Sequence, residues 1–284
     1  MSRFIVTGGA SGIGRATVTA MLKRGDSVGV IDFNQDSLIA IAAEFPDESR
    51  DGRLATAQAD VSLEPAMQEA IDFFAAQFDG LDGIVNNAGI GGAFGHLADL
   101  QVEDWDATFA VNTRGVFIGI KHTARILVEQ GTGGSIVNVA SVAGLIGDAG
   151  SQAYSASKAA VIQMGRVFAS ELAPHKIAVN TVNPGLIATP LNPISKRRNE
   201  EAFTAAQPWP EVGRPEHIAQ AILFFTSPDT SFITGEAIAV DGGLTSIGAQ
   251  PGDALGTNSR GFGVYGMNFG NTGRSAVVRG KTTE

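Results

Sequence analysis

The sequence has no cysteine among its 284 residues and only four histidines. The missing thiols exclude disulfides, thiolate metal sites, iron–sulfur clusters and a cysteine nucleophile. The histidines lack metal-ligand spacing, so we expect no metal site. They are His96, His122, His175 and His217. Basic residues are also few, with 20 Lys and Arg against 29 Asp and Glu and a net charge of −9, which argues against binding to nucleic acid.

Long hydrophobic runs and a leader pattern are absent as well. No apolar run approaches the roughly 20 residues that span a membrane. The N-terminal Met1-Ser2-Arg3 leads directly into the apolar Phe4-Ile5-Val6, without the pattern of a signal peptide. We therefore expect a cytoplasmic protein that does not associate with membranes.

Short apolar runs, rich in β-branched residues and alanine, alternate with longer amphipathic stretches. Such runs are typical of strands buried on both faces. Their alternation with helices predicts an α/β fold, a Rossmann-type doubly wound parallel sheet of about seven strands with helices on both faces. The predicted strands are Phe4–Val6, Ser27–Ile31, Leu54–Ala59, Gly83–Val85, Ser135–Val139, Ala178–Val182 and Ala237–Val240. The predicted helices are Arg15–Arg24, Pro65–Phe78, Val102–Gln130, Tyr154–Ala173 and Pro215–Thr226.

Two segments interrupt this alternation. The stretch Thr189–Arg214 is too long for an ordinary connection, which indicates a functional loop. Residues 248–284 form a glycine-rich C-terminal extension after a single catalytic domain at 1–247. The extension is either a flexible tail or an arm with apolar anchors. The anchors would be Phe262, Val264, Tyr265, Met267 and Phe269.

A glycine-rich turn follows the first predicted strand and precedes a helix. It reads Thr7-Gly8-Gly9-Ala10-Ser11-Gly12-Ile13-Gly14. Glycines here allow a tight turn and close approach to a pyrophosphate, which the helix N-terminus would bind through its N–H groups. Asp32 ends the next strand, where a carboxylate can accept both ribose hydroxyls of an adenosine. The pattern predicts a dinucleotide site, although Asp32 alone could also be a turn cap.

The identity of the neighbours of Asp32 favours NAD over NADP. A 2′-phosphate at this position would meet the carboxylate charge unless a cation intervened. Phe33 and Ser11 are not basic, and Arg15 lies inside the start of the helix. We therefore expect NAD as the cofactor.

A tyrosine and a lysine stand at helical spacing after a strand that ends near a serine. Tyr154 and Lys158 are at i and i+4, on one helix face. Ser141 follows the strand that ends at Val139, and ligands bind at the carboxyl ends of parallel strands. Each residue alone could serve packing or capping, so their significance depends on the other motifs.

In order and spacing, the motifs resemble the short-chain dehydrogenase/reductase family, in its compact single-domain NAD-dependent branch. The resemblance extends over about residues 3–245. The motifs are Thr7-Gly8-xxx-Gly12-x-Gly14, Asp60-Val61, Asn86-Asn87-Ala88-Gly89, Asn112, Ser141, Tyr154-xxx-Lys158 and Pro184-Gly185-xxx-Thr189.

The resemblance implies roles for these residues. Tyr154 would be the general acid/base, Lys158 would bind the nicotinamide ribose, and Ser141 would bond the substrate oxygen. Asn112 would hold a water in a proton relay. An ammonium about 4.5 Å from the phenol would lower the tyrosine pKa to about 7–8. The cofactor residues would be Gly8, Ser11, Gly12, Ile13, Gly14, Asp32, Phe33, Asp60, Val61, Asn87, Ala88, Gly89, Tyr154, Lys158, Pro184, Gly185, Ile187 and Thr189.

The family frame places the substrate against three variable segments, Ile90–Leu97, Val142–Leu145 and Leu191–Glu211. Their apolar side chains favour a hydrophobic or cyclic secondary alcohol and its ketone, although the same residues could serve packing. The candidate wall residues are Phe94, Leu145, Leu186, Leu191, Ile194, Phe203 and Trp209. A basic run, Lys196–Arg198, is either a solvated face or a clamp for an anionic substrate.

The sequence therefore predicts an NAD-dependent alcohol dehydrogenase or ketone reductase (EC 1.1.1.-) acting on a small secondary alcohol or ketone. The resemblance implies a homotetramer or homodimer, in which the extension at 248–284 could cap a neighbouring active site. The alternatives are an NADPH-linked ketoacyl reductase, a non-redox epimerase or dehydratase on the same fold, and a dinucleotide-binding regulator.

Overall fold

The structure is a computed structural model that describes residues 1–191 and 204–247, and the backbone of two short strands further on. The chain divides into two compact units, Met1–Thr245 and Ser246–Glu284. The described residues of the first unit contain a single sheet. Its strands are β1 (Arg3–Thr7), β2 (Ser27–Asp32), β3 (Leu54–Gln58), β4 (Gly83–Asn86), β5 (Gly134–Val139), β6 (Ile177–Pro184) and β7 (Ala237–Val240).

All seven strands are parallel, in the order β3-β2-β1-β4-β5-β6-β7. The order reverses between β1 and β4, since β2 and β3 extend the sheet on one side of β1 and the later strands extend it on the other. A crevice opens at such a reversal, at the carboxyl ends of the strands. The predicted doubly wound, seven-stranded sheet is confirmed, and its geometry fixes where a ligand would bind.

Eight α-helices flank the sheet within the described part of the first unit. They are α1 (Gly12–Arg24), α2 (Gln35–Glu44), α3 (Pro46–Arg50), α4 (Glu64–Gln77), α5 (Val102–Phe109), α6 (Gly115–Gln130), α7 (Gln152–Leu172) and α8 (Pro215–Phe225). Successive strand residues point to opposite faces, so Ile84 belongs to the core shared with α4, α6 and α7, and Val85 to the core shared with α1 and α8. In the described residues, no helix is long and apolar enough to cross a membrane.

The helices differ from the sequence prediction in three places, one of which is the short helix α3 (Pro46–Arg50), which was not predicted. Helix α2 was not predicted, because it buries only Leu38 and Ile41 and its periodicity is weak. Its start is nevertheless marked by Asn34, whose side chain accepts a hydrogen bond from the Ser37 amide at 2.9 Å. The single helix predicted for Val102–Gln130 is instead α5 and α6, joined by a π-helical turn at Ala110–Arg114.

The predicted functional loop is described on both sides of residues 192–203, which lie outside the described residues. Its returning end pairs with the segment after β6, where Ala188 donates its amide to the Gly213 carbonyl at 2.9 Å. Trp209 likewise donates its amide to the Gly242 carbonyl at 3.0 Å. These bonds hold the returning segment at the carboxyl ends of β6 and β7.

In the second unit the structure describes one antiparallel pair, β8 (Val264–Met267) with β9 (Val277–Gly280). Val264 pairs with Gly280 and Met267 with Val277. The predicted anchors Phe262 and Phe269 lie outside the described residues. The proposed capping role of this extension remains a prediction.

Candidate active site

The glycine-rich turn lies at the switch between β1 and β4 and requires glycine for two reasons. Gly8 and Gly12 have φ of +61° and +51°, in the left-handed region that favours glycine. Gly14 allows close packing, because a Cβ there would lie 2.1 Å from the Gly8 carbonyl oxygen. The turn can therefore bring its backbone against a ligand, as the sequence predicted.

Hydrogen bonds tie the ends of β1 and β4 together. The Asn87 side-chain amide donates to the carbonyls of Thr7 and Gly8 at 3.0 and 3.1 Å. The Thr7 hydroxyl accepts from the amides of Asn87 and Ala88 at 3.0 and 3.1 Å. Sequence reasoning gave Thr7 no role, although it opens the motif. Its hydroxyl fixes the separation of the crevice walls.

The N-terminus of α1 is open to an anion. Ser11 is its N-cap, but the Ser11 side chain makes no capping hydrogen bond. No acidic residue lies in the first turn of the helix. The first amides, including that of Ile13, therefore have no carboxylate to oppose an incoming phosphate. This arrangement fits the pyrophosphate of a dinucleotide.

Asp32 is partly exposed at the end of β2, on the adenosine side of the crevice. One carboxylate oxygen accepts from the Ala10 amide at 3.2 Å and the other from the Asn34 amide at 3.1 Å. A carboxylate has about four acceptor positions, so it can also accept ribose hydroxyls. The exposed ring of Phe33 follows it.

Next along this edge of the sheet are Asp60 and Val61. The Asp60 carboxylate accepts from the Ser62 amide at 2.8 Å, which fixes the turn after β3. Val61 is buried beneath Gly115, where a Cβ would lie 2.9 Å from the valine side chain. Both residues follow β3, which pairs in the sheet with β2, the strand that ends at Asp32.

Gly89 follows β4 and forms the floor of a small recess. A Cβ at this position would lie 3.2 Å from Asn112 Oδ1 and 3.4 Å from Lys158 Nζ. The absence of a side chain therefore leaves space beside an ammonium and an amide oxygen. This recess fits a ribose hydroxyl, and it brings the predicted catalytic residues next to the predicted cofactor residues.

Asn112 is fully buried in the π-helical turn. Its side-chain oxygen accepts from the Ile90 amide at 2.8 Å, and its amide donates to the Ile90 carbonyl at 2.9 Å and to the Ser157 hydroxyl at 3.2 Å. Both N–H groups are thus in use, and only the oxygen has acceptor capacity left. Such wide turns occur frequently at functional sites. Ser157, which sequence reasoning missed, also donates to the Tyr154 carbonyl at 2.7 Å.

Tyr154, Lys158 and Ser141 come together as predicted. The Tyr154 phenol lies within the influence of the Ser141 hydroxyl, and that hydroxyl accepts from the Ala143 amide at 3.1 Å. Lys158 Nζ donates to the Val139 carbonyl at 2.9 Å and lies 5.6 Å from the centre of the Tyr154 ring. The lysine therefore lies beneath the tyrosine and is anchored to the end of β5.

The expected lowering of the Tyr154 pKa is wrong for this arrangement. Burial raises the pKa of the Tyr154 phenol, and the hydrogen bond from Ser141 opposes this increase only in part. Burial also lowers the pKa of Lys158 to about 8. Burial therefore outweighs the other influences on the Tyr154 pKa, and the Lys158 ammonium donates to the Val139 carbonyl.

The third part of the predicted cofactor set follows β6. Gly185 packs against Asp241, where a Cβ would lie 2.7 Å from the aspartate Cα. Pro184 and Ile187 are buried on this segment. Thr189 lies against Gly12, since a Cβ on that glycine would be 3.5 Å from the threonine Cβ. The loop after β6 therefore contacts the glycine-rich turn.

The predicted substrate-binding side chains are exposed rather than packed. Phe94 is 84% exposed and Trp209 is 59% exposed. Leu145 and Leu191 are also exposed, and Leu186 is half-buried. Ile194, Phe203 and the basic run Lys196–Arg198 lie outside the described residues. Within the described part of the chain, no group of three or more His, Asp or Glu residues could hold a metal ion.

Similarity to known proteins places the chain among oxidoreductases with a Rossmann-type fold. A family model described as enoyl-(acyl carrier protein) reductase matches residues 8–245. The chain belongs to the short-chain dehydrogenase/reductase family, whose members bind a nicotinamide dinucleotide.

Two curated relatives differ in substrate. The 3-oxoacyl-[acyl-carrier-protein] reductase FabG of Thermotoga maritima is 37% identical over 84% of this chain and 96% of its own length. The 2,5-dichloro-2,5-cyclohexadiene-1,4-diol dehydrogenase of Sphingobium indicum is 36% identical over 86% of this chain and 96% of its own length.

Two solved structures have the same fold. A short-chain type dehydrogenase/reductase from Mycobacterium ulcerans is 30% identical, with a TM-score of 0.81 over 89% of this chain and 93% of its own. ElxO with NADP bound is 28% identical, with a TM-score of 0.79 over 87% of this chain and 100% of its own.

Proposed function

We propose that this protein is an NAD-dependent oxidoreductase that interconverts a hydrophobic or cyclic secondary alcohol and its ketone. The observation that carries the proposal is that Ser141, Tyr154 and Lys158 come together, with Lys158 Nζ also lying beside Gly89. A dinucleotide-binding regulator has no chemical need for this set. An epimerase or dehydratase would use it without net turnover of nicotinamide.

The side chains around the substrate oxygen have separate tasks. A bound nicotinamide dinucleotide supplies the hydride-transfer chemistry. Tyr154 Oη takes the hydroxyl proton of the alcohol or returns it to the ketone, and the Ser141 hydroxyl orients the same oxygen. Lys158 has two N–H bonds left after the bond to Val139, which suit the ribose hydroxyls above Gly89.

The raised pKa of Tyr154 predicts a pH dependence for the two directions. A phenol with a raised pKa is protonated at neutral pH and can give a proton to a ketone. Alcohol oxidation needs the phenolate, so its rate should rise with pH above neutrality, while ketone reduction should not. Initial rates of alcohol oxidation and of ketone reduction, measured between about pH 6 and about pH 10, would test this prediction.

Asp32 supports NAD over NADP. Its carboxylate lies where it can accept the 2′-hydroxyl of an adenosine, and a 2′-phosphate would meet the same charge. The bound NADP in the ElxO structure shows that a protein of this fold can hold the phosphorylated cofactor. The choice in this chain therefore depends on its own residues around Asp32.

The exposed aromatic and aliphatic side chains support an apolar substrate. Phe94, Leu145, Leu191 and Trp209 are large apolar side chains that are exposed in this fold, which supports a role for them as apolar ligand contacts. The Sphingobium indicum relative, a cyclic diol dehydrogenase, supports a ring substrate. The Thermotoga maritima relative supports the alternative, a ketoacyl reductase.

Part of the surface of α6 and α7 supports the proposed homotetramer or homodimer. Phe117 is exposed on α6 and its ring lies 6.3 Å from that of Phe168 on α7. An aromatic pair at the surface is typical of a subunit interface. Light scattering of the full chain would give the subunit number. The cytoplasmic location stays a prediction.

The proposal is tested by following NADH formation from NAD⁺, and NADPH formation from NADP⁺, over cyclic, aliphatic and 3-hydroxyacyl alcohols. We expect turnover with NAD⁺ and a loss of roughly 10²–10⁴-fold in Tyr154→Phe, because the proton acceptor is gone. Binding of NADH, measured by fluorescence, should stay unchanged in that variant.

Tyr265→Phe is the matched control, since the chain has two tyrosines. Equal loss of activity in both variants, or unchanged turnover in Tyr154→Phe, would contradict the catalytic role of Tyr154. Tight NADH binding without turnover on any alcohol would favour the epimerase, dehydratase or regulator.

A further inference from the structure

An ion pair joins α1 to α2 beside the adenosine end of the crevice. The Arg15 guanidinium donates through Nε and Nη2 to the same carboxylate oxygen of Glu44, at 2.9 and 2.5 Å. Arg15 lies one residue after the glycine-rich turn, and Glu44 is the last residue of α2. The pair therefore connects the helix that would bind the pyrophosphate to the helix that follows Asp32.

The ion pair borders a cavity of about 560 Å³ between the two helices. Ala10 and Ser37 are also in its wall. The Ala10 amide donates to Asp32, so the cavity begins beside the carboxylate that would accept the ribose hydroxyls. A phosphate attached to the 2′ oxygen of a bound adenosine would extend toward this cavity.

Arg15 is the one cation in the wall of this cavity. In dinucleotide sites of this kind, an arginine near the ribose accommodates a 2′-phosphate. Here both donors that face Glu44 are already in use, and the guanidinium charge is compensated. While it is paired, Arg15 is directed toward Glu44, and its charge is weakened as an attraction for a 2′-phosphate.

The exposure of the pair sets how strongly Arg15 is held. The side chains of Arg15 and Glu44 are 52% and 37% exposed. Ion pairs this exposed are weak, so the arginine can be released by a single substitution without loss of the fold. The same exposure limits the expected effect to a few-fold change in binding.

We propose that Glu44 contributes to cofactor choice by holding Arg15 away from the 2′ position of the adenosine. Asp32 repels a 2′-phosphate directly, while Glu44 removes the cation that would attract it. This inference rests on the proposed dinucleotide function of the same site. Glu44 is a positioning residue, because it acts through Arg15 and needs no contact with the cofactor.

The test measures binding of two adenosine nucleotides to the full chain by titration calorimetry. Adenosine 2′,5′-bisphosphate carries the discriminating phosphate and adenosine 5′-monophosphate lacks it. We expect Glu44→Gln to strengthen binding of the bisphosphate roughly three- to fivefold and to leave that of the monophosphate unchanged. The gain should disappear in the double variant Glu44→Gln, Arg15→Ala.

Asp36→Asn is the matched control, because it removes one negative charge from the same helix, where Asp36 is exposed and has no part in the pair. If Asp36→Asn strengthened binding of the bisphosphate equally, the effect would come from net charge alone and the proposal would be wrong. The proposal would also be wrong if the stronger binding persisted in the double variant that lacks Arg15. Glu44→Ala repeats the measurement should the glutamine variant fold poorly.

Failure of the inference can be distinguished from failure of the proposed function by NADH binding to the unmodified protein. If NADH and the monophosphate bind and Glu44→Gln gives no gain, the role of Glu44 is wrong and the dinucleotide site stands. If neither binds, the proposed function falls and the inference with it.

Discussion

The two halves of the crevice are built differently. On the cofactor side, Thr7, Asn87 and Asp32 each hold backbone groups through hydrogen bonds of 3.0–3.2 Å, and Gly14 permits no Cβ. Among the residues proposed to contact the substrate, the large apolar side chains of Phe94, Leu145, Leu191 and Trp209 are exposed, and Phe94 is the most exposed of them at 84%. The cofactor half is held in place by the sheet and its hydrogen bonds, while the proposed substrate half consists of exposed apolar side chains.

The difference indicates where specificity can change without loss of the fold. Substitutions on the cofactor side disturb the packing of β1, β4 and α1 as well as ligand binding. Those on the substrate side alter contacts with the ligand alone. Stability and ligand binding should therefore change together on the cofactor side and separately on the proposed substrate side.

Gly14→Ala should give the largest combined loss. Its Cβ would lie 2.1 Å from the Gly8 carbonyl oxygen and 2.6 Å from the Asn87 side-chain nitrogen, so the turn must shift. We expect the free energy of unfolding to fall by about 2–3 kcal/mol, and NADH binding to weaken more than about tenfold, since about 1.4 kcal/mol lost in binding already gives that factor. Urea unfolding and fluorescence titration measure the two effects.

Gly147→Ala is the control, because a Cβ there would meet no atom within 4 Å. It should change neither stability nor NADH binding. If Gly14→Ala bound NADH normally, the packing of the glycine-rich turn would not limit cofactor binding, and the contrast between the two halves would be wrong.

Lys158→Met tests whether a proposed catalytic residue destabilises the core in which it lies. Burial lowers the pKa of Lys158 to about 8, so keeping the lysine charged at pH 7, where the charged form still predominates, reduces the stability of the folded protein. The neutral methionine removes this cost but leaves the Val139 carbonyl without its donor. We expect Lys158→Met to be more stable at pH 7 by about 1–2 kcal/mol and to lose turnover.

The pH dependence of this difference follows from the proton balance. Between the folded pKa of about 8 and the ordinary pKa of 10.5, the unfolded chain holds a proton that the folded chain has lost. The stability of the unmodified protein therefore rises with pH in this window, relative to Lys158→Met. Urea unfolding at pH 7 and above pH 10 would show the advantage of the variant shrinking or reversing. The exposed Lys23→Met should show no such trend.

Trp209→Ala should give the smallest effect on stability and a clear effect on the substrate. The side chain is 59% exposed, so we expect unfolding to change by less than about 0.5 kcal/mol. Loss of its apolar contact should raise KM for a hydrophobic alcohol about 5–10-fold without changing NADH binding. The fully exposed Phe232→Ala is the control and should leave KM unchanged. A Trp209→Ala variant that unfolds easily would show that this side chain serves packing.

The same comparison explains what the sequence could reveal of the fold. All seven strands were predicted, because strands buried on both faces, such as the fully buried Gly83–Asn86, read as apolar runs. Helix α2 was missed, since it lies on the surface and depends on the Asn34 cap more than on periodicity. The π-helical turn at Ala110–Arg114 has no pattern that a periodicity analysis can detect.

The candidate site likewise has features that the sequence could predict and one that it could not. Spacing brought Tyr154, Lys158 and Ser141 together correctly, because a helix face and a strand end have fixed geometry. The direction of the Tyr154 pKa shift was predicted wrongly. It depends on burial and on the bond from Lys158 to the Val139 carbonyl, and a long-range contact of this kind is invisible to spacing.

The wide turn that carries Asn112 has a consequence for insertions and deletions. Such a turn takes up one more residue than an ordinary helical turn, so α5 and α6 can keep their buried faces on either side of it. Loss of a single codon within Ala110–Arg114 would give a regular helix with both faces still directed inward. The chain would fold, but the Asn112 bonds to the Ile90 backbone would be lost. One deletion would thus separate the fold of this protein from the part of the candidate site that Asn112 builds.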